Sequence, residues 1–303
     1  MKLIKASFNI IEQGPSIDGI YKIIEQAGRV CYKSEDKITE DSAKEFVERM
    51  IKSGHGAMLE HGTVYLKIPY GTMDDRGEFS NEPIVIKYID NPYSVVMNNS
   101  ENDYWYITSN YRVIIENEWI DDLQYLCEPT EFHAKRITVH FVCDRGVSHE
   151  FVRHRVFSFA QESTRYCNYS KDKFGNELTF IIPRWLSLSN GSYTYDYPNG
   201  FTKDGSKWDS KLELNTFLLS LVRSEATYLE LIEQGWTPQQ ARAVLPNSLK
   251  TELVMTGFVS DWKRFFRLRS RIAKTGKPHP QAQELADPLM DEFVKRGIME
   301  TLL

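Results

Sequence analysis

The chain has 303 residues, 41% of them apolar and 26% charged, with a net charge of −5. That is globular composition, and a chain of this length can bury roughly 75% of its unfolded surface without cross-links. A disordered or collagen-like chain is excluded, and the acidic balance speaks against a general nucleic-acid binder while leaving room for a local anion site.

The first residues, MKLIKASFNIIEQG, lack the layout of a signal peptide and read as a strand over 2–12. No apolar run approaches the roughly 20 residues that span a bilayer, so no membrane association is expected. A helix follows over 17–32. A second helix starts after Thr39 as its cap, has Glu40 and Asp41 in its first turn and stops at Gly54. Its apolar residues Ala43, Phe46, Val47, Met50 and Ile51 recur at helical spacing. Residues 62–68 predict a strand. From 71 to 130 the pattern breaks up, but Tyr88, Tyr93, Tyr104, Trp105 and Tyr106 predict an ordered insertion with a hairpin or helix of its own.

Residues 136–144 alternate, with Ile137, Val139, Phe141 and Cys143 on one strand face and Thr138, His140, Val142 and Asp144 on the other. Ser148 can cap a helix carrying HEFVRHR. A short strand at 178–182 precedes a polar loop over 187–206, with turn signals at Asn190-Gly191 and Asn199-Gly200. A long helix over 207–234 places Leu214, Phe217, Leu218, Leu221, Tyr228 and Ile232 on one stripe. Thr237-Pro238 opens another helix, and a final pair occupies 258–273 and 281–297.

Cys31, Cys127, Cys143 and Cys167 form no CxxC and match no zinc spacing, which reads as free thiols in a reducing cytoplasm. His55 and His61 lie six apart, not at a one-face ligand spacing, so no metal site is expected. The densest polar cluster is HEFVRHRVFSFAQESTRY, 149–166. On a continuous helix Glu150, Arg153 and His154 share one face. A solvated Glu150–Arg153 ion pair and a ligand cradle are both open there. The polar residues that follow, up to Arg165, favour the cradle.

The segment DWKRFFRLRSR, 261–271, is the second source of chemistry. Phe258, Trp262, Phe265, Phe266 and Ile272 form an apolar stripe, and Arg269 lies inside it while Arg264, Arg267 and Arg271 lie off it. An arginine facing a core costs several kcal/mol unless an anion or strong acceptors meet it. It can snorkel outward or face a buried anionic ligand, for which a guanidinium is well suited.

RHRVFSFAQESTRY resembles the signature of the flavin-dependent thymidylate synthase (ThyX) family, commonly RHRxxSxNxxSxR, carried here by Arg153, His154, Arg155, Ser158, Ser163 and Arg165. HGAMLEH, ARAVLP and FFRLR resemble further segments of that family, and the resemblance covers most of 1–70 and 131–300. It implies an α+β fold with a mixed or antiparallel sheet flanked by helices, as one catalytic domain over 1–303 with a family-atypical insertion at 71–130. It also implies conversion of dUMP to dTMP, with methylenetetrahydrofolate as carbon donor and NADPH-reduced FAD as hydride source. The implied assembly is a cytoplasmic homotetramer with active sites shared between subunits.

By the same resemblance, Arg153, His154 and Arg155 match the FAD-binding triplet, with Arg153 also near dUMP. Glu150, Gln161, Ser163, Thr164, Arg165 and Arg242 match positions that hold dUMP. His55, Ala57, Gln161 and Arg264 match flavin contacts, and Arg269 matches the arginine that polarises the uracil and favours its ionisation. Ala160 stands in place of the signature asparagine, Gln161 where Glu is frequent, Glu150 where Gln is frequent and Arg264 where Asn is frequent. Two other readings remain: a non-catalytic flavin or nucleotide binder, separated by turnover of dUMP, and an RNA-binding module, separated by salt-dependent RNA binding.

Overall fold

The computed structural model describes residues 1–99, 102–197, 200–207 and 212–301, the stretch 212–215 as backbone only. The predicted first strand is two strands, β1 (Lys2–Ile4) and β2 (Ser7–Ile11), which belong to different sheets. Next come α1 (Ser16–Tyr32), α2 (Ser42–Lys52), α3 (Gly56–Leu59) and β3 (Thr63–Pro69). Asp41, not Thr39, occupies the N-cap position of α2, and Ser42 Oγ accepts the Thr39 backbone N–H at 2.9 Å. Gly54, at φ 69°, follows α2 in a conformation suited to glycine. Gly19 is fixed by a close approach: a Cβ there would lie 1.8 Å from the Gly14 carbonyl oxygen.

The insertion holds α4 (Glu82–Ile89), β4 (Val95–Asn99), β5 (Tyr104–Asn110) and α5 (Tyr111–Glu116). With β3 its strands form an antiparallel sheet, order β3-β5-β4. Val85, Tyr88, Ile107, Tyr111 and Ile114 pack with Ile20 and Ile24 of α1 and Phe46 and Val47 of α2, so the insertion shares a core with the first two helices.

Then follow β6 (Arg136–Asp144), α6 (Arg145–Phe151), β7 (Ser158–Gln161), β8 (Thr179–Ile181), β9 (Gly191–Asp196), β10 (Gly200–Lys203) and β11 (Ser206–Lys207). The predicted loop over 187–206 is thus largely strand: β9 and β10 pair antiparallel, with Phe201 opposite Tyr195. Asn199 lies outside the described residues. The chain ends in α7 (Leu212–Glu233), α8 (Pro238–Ala241), β12 (Lys250–Phe258), α9 (Val259–Arg269) and α10 (Pro280–Lys295). On α7, Leu218, Leu221 and Tyr228 are buried as the stripe predicts. The side chain of Leu214 and residues 208–211 lie outside the described set.

No strand was expected over 250–258, yet β12 lies inside the central antiparallel sheet, order β2-β6-β12-β7. One face of that sheet buries Val139, Phe141, Cys143, Leu253 and Met255 against Trp262, Phe265 and Phe266 of α9 and Leu285, Leu289 and Phe293 of α10. The other face meets α1 through Ala160, Val254, Ala27 and Val30. A second sheet, β11-β10-β9-β1-β8, packs on α7, and within it only the β1–β8 pairing is parallel among the described residues. The architecture is α+β, mixed and antiparallel sheets flanked by helices, as the sequence predicts.

Candidate active site

Asp144 ends β6 and caps α6. Its carboxylate accepts the Val147 backbone N–H at 2.8 Å and the Gln281 side-chain amide at 2.6 Å. The expected cap, Ser148, lies inside α6 and donates to the Arg145 carbonyl at 2.9 Å. α6 stops at Phe151, and the His154 N–H turns back to the Phe151 carbonyl at 3.1 Å. Arg153, His154 and Arg155 therefore lie in a turn leading to β7 and do not share a helix face with Glu150.

That turn delivers His154 and Glu150 to Arg269, the last residue of α9. Arg269 Nη1 meets the Glu150 carboxylate, Nη2 donates to the Glu150 carbonyl at 3.0 Å, and Nε donates to His154 Nε2 at 3.1 Å. Since Nε2 accepts, the ring proton of neutral His154 sits on Nδ1. Burial, followed by the Arg269 cation, holds the pKa of His154 down at about 4. The Glu150–Arg153 ion pair is not formed. Trp262, Phe265 and Phe266 are fully buried and the Arg269 side chain is 18% exposed, so Arg269 sits at the end of the apolar stripe. Three of the five guanidinium N–H groups are engaged and two are left for a ligand.

Ser148 also joins this corner to β7, because Gln161 Nε2 donates to its hydroxyl at 2.9 Å and to Thr251 Oγ1 at 3.3 Å. Three residues on, buried Thr164 accepts from Arg242 Nη1 at 3.2 Å. Ser163 shapes the turn between them: its N–H donates to the Cys31 carbonyl, and its hydroxyl accepts the Arg165 N–H at 3.3 Å. Around this rim Arg153, Arg155, Arg165 and Arg242 are exposed, and none has a carboxylate within 4 Å among the described residues. Arg165 lies over the ring of Tyr166, which is itself tilted against Tyr32. Exposed cations without acids make an anion site.

Other expected residues sit on neighbouring elements: Arg264 is on α9 with Arg269, and α3 packs through Met58 on the cluster that holds Ala160 of β7. His55 and Ala57 are exposed at α3, where His55 Nδ1 is 3.3 Å from Ser53 Oγ, and no polar contact joins either of them to Arg269. Arg264 is 70% exposed, 4.0 Å from Asp261. His61 is fully buried, with Nδ1 2.8 Å from Thr256 Oγ1; burial, then Arg136, lowers its pKa to about 3.

Sequence reasoning passed over Ser148 and Thr251, which hold Gln161, and the ionic network behind β7. There Lys250 bridges Glu162 and Glu252 at 2.7 Å each, Lys33 reaches Glu252 at 2.9 Å and His140 Nε2 reaches it at 2.9 Å. The signal was the alternation of Glu252 and Val254 with Leu253 and Met255 in the overlooked β12. Burial pushes the Cys167 thiol up to about 12, helped by Glu162, so it is no thiolate at neutral pH. Among the described residues no cluster of three or more His, Cys, Asp or Glu could hold a metal, and no helix is long and apolar enough to cross a membrane.

Residues 86–296 match the family model described as thymidylate synthase complementing protein. The chain belongs to that family. Its matched stretch begins within the 71–130 insertion, so part of the insertion falls inside the family's pattern. Relatives named flavin-dependent thymidylate synthase include those of Pyrococcus furiosus (27% identical) and Pyrococcus horikoshii (30%), each over 53% of this chain and 55% of the relative. The Synechocystis relative of that name is 26% identical over 49% of this chain and 62% of its own length. The chain thus spans little more than half the length of the relatives it matches. A solved UMP/dUMP methylase, PolB from Streptomyces cacaoi bound with 5-Br dUMP, aligns at 17% identity with a TM-score of 0.43, over 97% of this chain and 93% of that one.

Proposed function

We propose that this family member is a flavin-dependent thymidylate synthase that forms dTMP from dUMP with methylenetetrahydrofolate and NADPH, and that 1–303 works as one catalytic unit carrying the 71–130 insertion. The observation that carries the reading is Arg269, held by Glu150 and His154 at the edge of a rim of unpaired arginines. FAD suits that rim, because a pyrophosphate and a nucleotide phosphate require several cations without acidic partners. Arg153, His154, Arg155 and Gln161 would hold the flavin, with His55, Ala57 and Arg264 contributing from exposed positions. A flavin bound there would supply the hydride once reduced by NADPH.

The residues of the chain do the rest. Arg165 and Arg242 neutralise the substrate phosphate, while Gln161, Ser163 and Thr164 fix its orientation by hydrogen bonds. Arg153 bridges both ligands. Arg269 offers its two remaining N–H groups to the pyrimidine, where a fixed cation stabilises negative charge as it develops in the ring. Glu150 orients that guanidinium from one side and neutral His154 accepts from it on the other, so little reorganisation is needed when substrate arrives. A cysteine nucleophile is unnecessary in this scheme, consistent with the buried state of Cys167.

The proposed assembly is a homotetramer in which subunits share each site, with His55 and Ala57 exposed and so open to a ligand or a neighbouring subunit. The four free cysteines support a cytoplasmic setting. The test is direct. The purified protein should bind FAD, bleach on addition of NADPH, and form dTMP only when dUMP and methylenetetrahydrofolate are both present. Flavin binding without turnover would leave a nucleotide or flavin binder instead.

A further inference from the structure

A walled cavity lies away from this rim, beside the open edge of the central sheet at β2. It measures about 360 Å³, within the size range of small-molecule sites. Its apolar wall is supplied by Ile11 of β2, Ile20 and Ile23 of α1, Leu126, and Ile298 near the end of the chain, and polar residues such as Gln13, Ser16 and Thr138 share the lining. Thr63 and Tyr65 of β3 close it on one side, and Lys135 and Arg136 belong to its lining, with the Arg136 guanidinium held at Thr63.

The charges around it do not balance. Of the lining acids, Glu12 pairs with Arg296 at 3.0 Å, and Glu128 accepts the Ser16 backbone N–H at 3.3 Å and keeps its charge, but pairs with neither Lys135 nor Arg136. Lys135 and Arg136 have no carboxylate within 4 Å among the described residues. The acids nearest Arg136 are also engaged, Glu60 with Arg112 at 2.7 Å and Asp261 with the Phe258 N–H at 3.2 Å. Arg136 instead donates to the Glu60 carbonyl at 3.0 Å and to the hydroxyls of Thr63 and Ser158 at 3.3 Å each, so two of its N–H groups have no acceptor. Tyr65 Oη accepts the Arg136 backbone N–H at 3.2 Å, and no acceptor for its own proton is found among the described residues. Burial lowers the pKa of Arg136 to about 10, which still leaves it cationic at neutral pH. A partly buried cation without an acid is costly, and an anion on that spot relieves the cost.

We propose that this cavity is a binding site for a small amphipathic carboxylate, its hydrocarbon body against the isoleucines and its single negative charge met by Arg136, Lys135 and the Tyr65 hydroxyl. Two cations and one hydroxyl match one carboxylate, and the isoleucine wall offers the hydrocarbon body apolar contact. The site is independent of the flavin reading, since it shares no residue with the Arg269 rim.

Octanoate is the probe, titrated calorimetrically into the intact protein beside octan-1-ol and octylammonium. Saturable one-to-one binding of octanoate, with both other compounds at least about tenfold weaker, is the expected result. Arg136→Met should weaken octanoate by about tenfold or more. Ile298→Trp leaves both cations in place and fills the cavity, so it should abolish binding, with circular dichroism and flavin content of each variant reporting the fold. Absence of saturable octanoate binding overturns the proposal. So does octan-1-ol binding as tightly, or unchanged octanoate binding by folded Ile298→Trp.

Discussion

Two charged regions lie on either side of β7, and they are built on opposite plans. Behind the strand, Glu162, Lys250, Glu252, Lys33 and His140 form a closed network in which each charge meets its opposite at 2.7–2.9 Å. In front of it, Arg153, Arg155, Arg165 and Arg242 are exposed without acids, and Arg269 is the arginine of this rim that a carboxylate holds among the described residues. The closed region spends its charges on itself, so it can fix strand positions but recognise nothing. The open region is electrostatically unfinished, and an anionic ligand completes it. Charge density alone marks neither as functional; the pairing does.

The sharpest way to break this contrast is Glu252→Ala. It takes one of two acids from each of Lys250 and Lys33, which keep Glu162 and Glu35, and removes the acid that meets His140, which should cost about 3 kcal/mol of stability, measured by denaturant unfolding. A loss below about 1 kcal/mol would show that the network is as expendable as a surface salt bridge. Next in size, Arg269→Ala should lose about 3 kcal/mol of transition-state stabilisation, near a hundredfold in dTMP formation, with folding intact and flavin reduction by NADPH largely kept. Arg269→Lys should recover only part, because a point charge cannot replace the planar fork that meets both Glu150 and His154. Near-normal dTMP formation by the alanine variant would remove Arg269 from the chemistry.

Acid should act on buried histidines. His61 and His154 have folded pKa values of about 3 and 4, below the roughly 6.5 of an unfolded histidine. Between those limits the unfolded chain binds more protons, so stability rises with pH. It is complete above about pH 6.5 and declines as the pH falls toward 4. Melting temperatures across that window should show the slope, and His61→Gln should flatten it; an unchanged slope would place the acid sensitivity elsewhere. The smallest effect belongs to Cys167→Ala, which should keep most turnover and lose about 1 kcal/mol of stability. Loss of dTMP formation in a folded Cys167→Ala variant would restore a thiolate mechanism.

Much of this was legible in the sequence. Helical spacing alone put Arg269 on the stripe of Trp262, Phe265 and Phe266, and strict alternation gave β6 residue for residue. What escaped depended on contacts distant in the chain. β12 was hidden because Glu252 sits inside it, and the carboxylate there is met by Lys250 and also by His140 and Lys33, the last 219 residues away. The helix expected through Arg155 stops early, because the turn at His154 brings that ring to Arg269, 115 residues on. The β9–β10 hairpin read as loop because much of it faces water, so its residues are polar where a buried strand would be apolar.

The order β2-β6-β12-β7 also sets a schedule. Ile10 pairs with Val139, and Val139 in turn with Met255, so the central sheet draws its strands from both ends of the chain and from its middle. Loop closure over such distances is slow. The β4–β5 hairpin closes locally and can form within microseconds, whereas the platform beneath Arg269 must wait until nearly the whole chain is available. Until then β6 and β7 lack the strand that lies between them, and the assembling chain presents the open edges on which aggregation begins.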